Sequence, residues 1–166
     1  MPLGPGDPLA GFIGVEAGDS CCHPFPVGRG SSKFESQKRA EFAERYSVGR
    51  HDVITTIERA VIGGDWGANG YTTLAQADEL AERLDLDDSK RLLDIGTGQG
   101  WPGLYLANKT GCEVVVTDLP IEGLQAAAAR AKEERIRGLG AVVCSAKRLP
   151  FVERSFDALC HTDVLC

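Results

Sequence analysis

Arg91-Leu92-Leu93-Asp94-Ile95-Gly96-Thr97-Gly98-Gln99-Gly100-Trp101-Pro102-Gly103 is the stretch that decides the fold. It reads as a short apolar strand over 91–95, a glycine turn, and the start of a helix at about 102. Glycine lets a backbone bend tightly and approach a ligand where a Cβ would intrude. The helix that follows offers unpaired N–H groups and a positive dipole end to an anionic group. Asp94 closes the strand and adds a carboxylate on the same rim, which suits a ligand carrying a cation as well. A zwitterionic nucleoside fits that pairing better than a pyrophosphate does.

From Lys90 onward the pattern alternates. The strand at 91–95 is followed by a helix over about 102–109, a strand over 113–117 and an alanine-rich helix over about 121–137. That helix is expected to stop at Gly138, with Arg135 and Arg137 in its last turn. Strands follow at about 141–145 and 156–162. Apolar strands separated by helices predict a parallel sheet covered on both faces, whose ligands bind at the strands' C-terminal ends. Asp118 falls at the end of the second of these strands, where doubly wound sheets place a carboxylate for ribose hydroxyls. It also reads as an N-cap for the 121–137 helix, and the two roles are compatible.

Upstream, residues 1–32 are rich in Gly and Pro and read as a mobile tail. A helical segment over 33–85 follows. Phe34, Phe42, Ala43 and Tyr46 share a face in its first part. Val53, Ile54, Ile57 and Val61 form one stripe in its second, which Gly63-Gly64 ends. Thr73 with Gln76 fits a capping box for a third helix that buries Leu74, Ala77, Leu80, Ala81 and Leu84. Residues 86–166 form the ligand-binding unit.

The chain has 166 residues, enough for one ordinary domain, with 43% hydrophobic and 25% charged residues, the balance of a soluble globular protein. A net charge of −6 argues against a general nucleic-acid or membrane surface. No apolar run is long enough to span a bilayer, and the N-terminus lacks a signal-peptide pattern, so a cytoplasmic protein with reduced thiols is expected. Cys21-Cys22-His23 and Cys160-His161 lack structural-zinc spacing, and no metal site is expected. Trp66 and Tyr71 flank Gly67 and Gly70 and read either as a lid or as ordinary packing.

Leu92-Leu93-Asp94-Ile95-Gly96-Thr97-Gly98-Gln99-Gly100 resembles the first motif of class I S-adenosylmethionine-dependent methyltransferases. Val114-Val115-Val116-Thr117-Asp118 resembles the second. Leu149-Pro150-Phe151 with Ser155-Phe156-Asp157-Ala158-Leu159 is similar to the family's approach to its fourth strand. The resemblance covers about 70–166. It implies a Rossmann-like parallel sheet flanked by helices, limited to the first four strands and preceded by the N-terminal helices. It implies S-adenosyl-L-methionine as cofactor, with Asp94, Gly96, Thr97, Gly98, Gly100 and Trp101 around the methionine part. By the same resemblance Asp118 binds the ribose, Leu119 packs on the adenine, and Ser145 and Ala146 lie at its edge. Ser145 stands where many members carry an acid. His161 and Thr162 would line the cleft near the sulfonium, His161 being a candidate base.

Family members continue beyond the fourth strand, so the chain is expected to be a C-terminally truncated cofactor half. Its fourth strand is then expected to expose an apolar edge open to self-association or to a partner protein. The acceptor is expected to be a small molecule. Two other readings stay open: a non-catalytic binding fragment, and an NAD(P)-dependent oxidoreductase using Gly98, Gly100 and Gly103.

Overall fold

The computed structural model describes residues 12–13, 33–47, 52–68, 70–136 and 138–164. The expected tail 1–32 lies outside the described residues apart from Phe12–Ile13, and so do Cys21, Cys22, His23 and His51. The elements in chain order are β1 (Phe12–Ile13), α1 (Lys33–Ser47), α2 (Asp52–Val61), α3 (Leu74–Arg83), β2 (Arg91–Ile95), α4 (Gly103–Thr110), β3 (Glu113–Asp118), α5 (Ile121–Glu133), β4 (Leu139–Val143) and β5 (Ala158–His161).

Among the described residues the strands form one sheet in the order β1-β4-β3-β2-β5, with every pairing parallel. The order reverses at β2: β3 and β4 build out on one side, and β5 pairs on the other. The four expected strands are therefore present, and a two-residue strand widens the sheet beyond that expectation. Phe12 stands opposite Ala141 and Ile13 opposite Val142. At the other edge β5 pairs with β2 alone, and Leu159 is 47% exposed.

The core follows from the apolar runs of β2 and β3. Leu92, Val114 and Val116 are fully buried beside Leu104 and Leu106 of α4 and Leu124 of α5. Each such side chain contributes about 1.5–3 kcal/mol by leaving water. The strand ends are pinned by reciprocal bonds: Arg91 N–H donates to Asp157 Oδ2 at 2.8 Å, and Asp157 N–H donates to the Arg91 carbonyl at 2.9 Å.

The helical segment departs from its pattern in instructive ways. In α3 the capping box forms as expected, with Thr73 Oγ1 accepting from Gln76 N–H and Gln76 Oε1 accepting from Thr73 N–H. Ala77 and Ala81 are buried, and Leu74, Leu80 and Leu84 pack against the two core clusters. The apolar stripe of α2 instead faces outward, with Val53, Ile54, Ile57 and Val61 each more than half exposed. The residue α2 buries is Glu58, whose Oε1 accepts from the N–H groups of Trp66 (2.6 Å) and Ala68 (3.1 Å). Helix α1 buries no residue fully; Phe42 and Tyr46 pair at 5.9 Å, and Phe34 is exposed.

Helix α5 ends four residues earlier than its alanine-rich pattern suggests. Arg135 turns left-handed (φ 57°), Ile136 N–H donates to the Ala131 carbonyl and Arg135 N–H to the Lys132 carbonyl. This is a Schellman closure, and it lets Ile136 fold back onto the core. A side chain at that φ costs about 1 kcal/mol, and Arg135 is exposed. Arg135→Gly is therefore expected to stabilise the chain by about 0.5–1 kcal/mol, read as a higher urea midpoint at unchanged slope. An unchanged or lower midpoint contradicts the assignment.

Candidate functional site

Asp94, the penultimate residue of β2, is only 1% exposed. Its Oδ2 accepts from the Thr97 hydroxyl at 2.6 Å and from Gly103 N–H at 3.0 Å, and its Oδ1 lies 3.4 Å from the Cys160 thiol. The carboxylate thus sits beneath the glycine turn and caps α4 from inside the fold. This corrects two expectations. Asp94 is not displayed on the open rim, because three internal donors draw it inward. The first N–H of α4 is not left for a ligand, because Asp94 already takes it. A Cβ on Gly103 would fall 2.5 Å from Asp94 Oδ2, so only glycine permits that approach.

The turn is knitted to β3. Gly96 N–H (2.7 Å) and Thr97 N–H (3.0 Å) both donate to the Thr117 carbonyl, and Gly98 N–H donates to Asp118 Oδ2 at 2.7 Å. Asp118 Oδ1 accepts from Leu119 N–H at 2.7 Å. Asp118 and Leu119 are half-buried at the C-terminal rim of the sheet. Gly98 adopts φ 59°, and its carbonyl lies 2.5 Å from where a Cβ on Gly123 would sit, so α5 abuts the turn directly.

The other expected residues divide into two groups. Thr97 points inward to Asp94, and Gly98 and Gly100 are buried in the turn. Trp101 is 4% exposed, packs between Trp66 and Tyr105, and donates its indole N–H to the Thr72 carbonyl at 3.1 Å. Its side chain is therefore part of the wall, and only its backbone belongs to the turn. Gly96, Ser145, Ala146 and His161 are half-buried or exposed around the rim. Trp66 takes the packing alternative, whereas Tyr71 is 83% exposed.

Three acids that the sequence pattern passed over hold the surroundings. Glu58 braces the 66–68 loop. Asp163, just past β5, takes Tyr71 N–H at 3.0 Å and the Thr72 hydroxyl at 3.1 Å, tying the loop before α3 to the sheet. Glu35 of α1 takes the Ser145 hydroxyl at 2.9 Å. Each contact spans a loop or many residues, so no local periodicity announces it. A groove of about 440 Å³ opens beside Gln99, between α2 and α5, with Thr55, Asp65, Arg130 and Glu133 on its walls. None of the expected ligand-contacting residues lines it.

Burial pushes the Asp94 carboxyl up to about 6. The hydrogen bonds from Thr97, Gly103 and Cys160 pull the other way, and the charge of Asp118 adds to the rise. Asp118 is raised as well, chiefly by burial, against the bonds from Gly98 and Leu119.

This geometry is that of a doubly wound parallel sheet, and the comparisons find the same fold in methyltransferases. Residues 92–166 match the family model described as methyltransferase domain. The methyltransferase GfsG of Streptomyces halstedii is 32% identical over 83 residues, covering 49% of this chain and 30% of that protein. Phosphoethanolamine N-methyltransferase 2 of Haemonchus contortus, solved in complex with S-adenosyl-L-methionine, has a TM-score of 0.57 at 24% identity, covering 83% of this chain and 30% of that one. A Methanococcus maripaludis structure has a TM-score of 0.54 at 13% identity, covering 84% and 55%. The fold is the Rossmann-like fold of these methyltransferase structures, and the similarity to the methyltransferase-domain model is confined to residues 92–166. The chain spans 30% of the length of its curated relative.

The Asp94 assignment carries a pH signature. A carboxyl raised from 3.8 to about 6 on folding gives stability that is full below pH 3.8 and lost as pH rises through 6. Asp94→Asn is expected to remove that component. Urea-unfolding free energies between pH 4 and 7 should fall more steeply with rising pH in the parent chain than in the variant. Parallel curves sink the assignment.

Proposed function

We propose that the rim formed by the glycine turn, Asp118 and the end of β4 binds S-adenosyl-L-methionine. In the whole protein it would serve methyl transfer to a small-molecule acceptor. The observation that carries this reading is the pair of carboxylates around one turn: Asp94 fixes it from below, and Asp118 takes Gly98 N–H from the side. Asp118 retains acceptor capacity for ribose hydroxyls, since a carboxylate has about four lone-pair sites. Half-buried Leu119 offers an apolar face for the base.

The bound cofactor supplies a methyl already activated by sulfonium. The protein's share is placement, holding acceptor and methyl in line, which is worth several kcal/mol as avoided entropy. Removal of a proton is needed only for acceptors that must lose one, and exposed His161 at the end of β5 stands on the correct rim for that.

The dinucleotide reading fares worse. Its pyrophosphate would dock at the N-terminus of α4, where the leading N–H is already bonded to the Asp94 carboxylate. A second anion there meets repulsion instead of a donor. Among the described residues no helix is long and apolar enough to cross a membrane, and no His/Cys/Asp/Glu group has the arrangement of a metal site.

Calorimetric titration distinguishes these readings. S-adenosylhomocysteine is expected to bind and NAD not to bind. Asp118→Ala should weaken S-adenosylhomocysteine by roughly 10–100-fold, the equivalent of about 1.5–3 kcal/mol for a charged hydrogen bond. Unchanged affinity in the variant removes the ribose assignment. Binding of NAD in place of the nucleoside thioether removes the cofactor assignment itself.

A further inference from the structure

We infer that Glu35, on the first turn of α1, is a specificity residue for the nucleobase, selecting a ring that presents an amino group at this edge. The inference rests on the cofactor reading above. It starts from strand order. The glycine turn lies on β2 and the ribose carboxylate Asp118 on β3, so a nucleoside lying along the rim in that direction places its base over β4. Ser145 lies two residues beyond the end of β4, and Cys144 N–H donates to the Asp118 carbonyl at 3.0 Å, which keeps this segment beside Asp118.

At that position the chain itself supplies only a hydroxyl. The carboxylate arrives from 110 residues away: Ser145 Oγ donates to Glu35 Oε1 at 2.9 Å. Lys147 Nζ lies 3.6 Å from the same oxygen, and the Glu35 side chain is only 17% exposed. Tyr46, on the last turn of α1, lies 3.0 Å from the position of a Cβ on Gly123, beside the Gly98 carbonyl. Helix α1 therefore crosses from the base edge of the rim to the glycine turn, with an acid at one end and an aromatic ring at the other.

A carboxylate accepts hydrogen bonds and cannot donate them while ionised. It favours a ring edge bearing an amino group and repels one bearing a carbonyl. A ring carbonyl turned toward this carboxylate meets a second acceptor and gains no donor from it, which is a strong means of discrimination. Glu35 thus selects a 6-aminopurine over a 6-oxopurine.

The test is calorimetric titration of the 166-residue chain with S-adenosylhomocysteine and with its 6-oxo analogue, S-inosylhomocysteine. The parent chain is expected to prefer the amino form by about tenfold or more, the order expected when a charged acceptor loses its donor. Glu35→Gln, whose amide both donates and accepts, should bring that ratio close to one, chiefly by weakening the amino form. The ratio is measured within each variant, so a general loss of folding does not mimic the result. If Glu35→Gln weakens both ligands equally and keeps the preference, Glu35 merely latches α1, and the inference fails while the cofactor reading stands. If the parent chain binds neither ligand, the cofactor reading fails and takes this inference with it.

Discussion

A carboxylate buried beneath a turn is the constraint on which the site depends. Asp94 takes one hydroxyl, one backbone N–H and one thiol, all from the fold itself. An ionised group without partners at that depth would cost several kcal/mol, and those donors offset much of it. In return the carboxylate fixes three things at once: the end of β2, the curvature of the turn, and the N-terminus of α4. The helix dipole favours an anion there, and the fold supplies its own. Gly103 follows directly, since any side chain would meet Asp94 Oδ2.

The second carboxylate works by the same logic one strand over. Parallel pairing puts Ile95 opposite Thr117, so the chain leaves β2 and β3 at the same level of the sheet. The Thr117 carbonyl then receives both Gly96 and Thr97, and Asp118 receives Gly98. Turn and rim are thus one hydrogen-bonded unit. Its rigidity comes from backbone groups that any sequence possesses, and its shape from glycines that few other residues can replace.

How much of this could be read from residues alone depended on range. Apolar runs at 91–95 and 113–117 and the capping box at Thr73 are local signals, and the elements form there. The inward turn of Thr97 and Trp101 was not legible, because a hydroxyl or an indole N–H looks equally suited to a ligand until its partner is known. The early end of α5 was missed because alanine propensity continues through 131, while the closure is decided by Ile136 reaching the core. The stripe of α2 has the period of a buried face, yet the opposite face packs, because Glu58 is the acceptor that the 66–68 loop needs. Glu35 was invisible for a simpler reason: its partner Ser145 is 110 residues distant.

Two acids at one turn also bias the chemistry of what the rim accepts. Both are raised chiefly by burial, and the charge of Asp118 is among the causes that push Asp94 up. A cation brought near them lowers the free energy of both charged forms, whereas a phosphate raises it. The two acids thus give this rim an electrostatic bias toward a cationic ligand and against a phosphate, independent of any motif. By linkage, a ligand that favours the ionised acids must bind with release of protons wherever those acids are partly protonated, and it must draw their titration downward. The turn therefore couples ligand charge to the protonation of a buried group that the ligand need never touch.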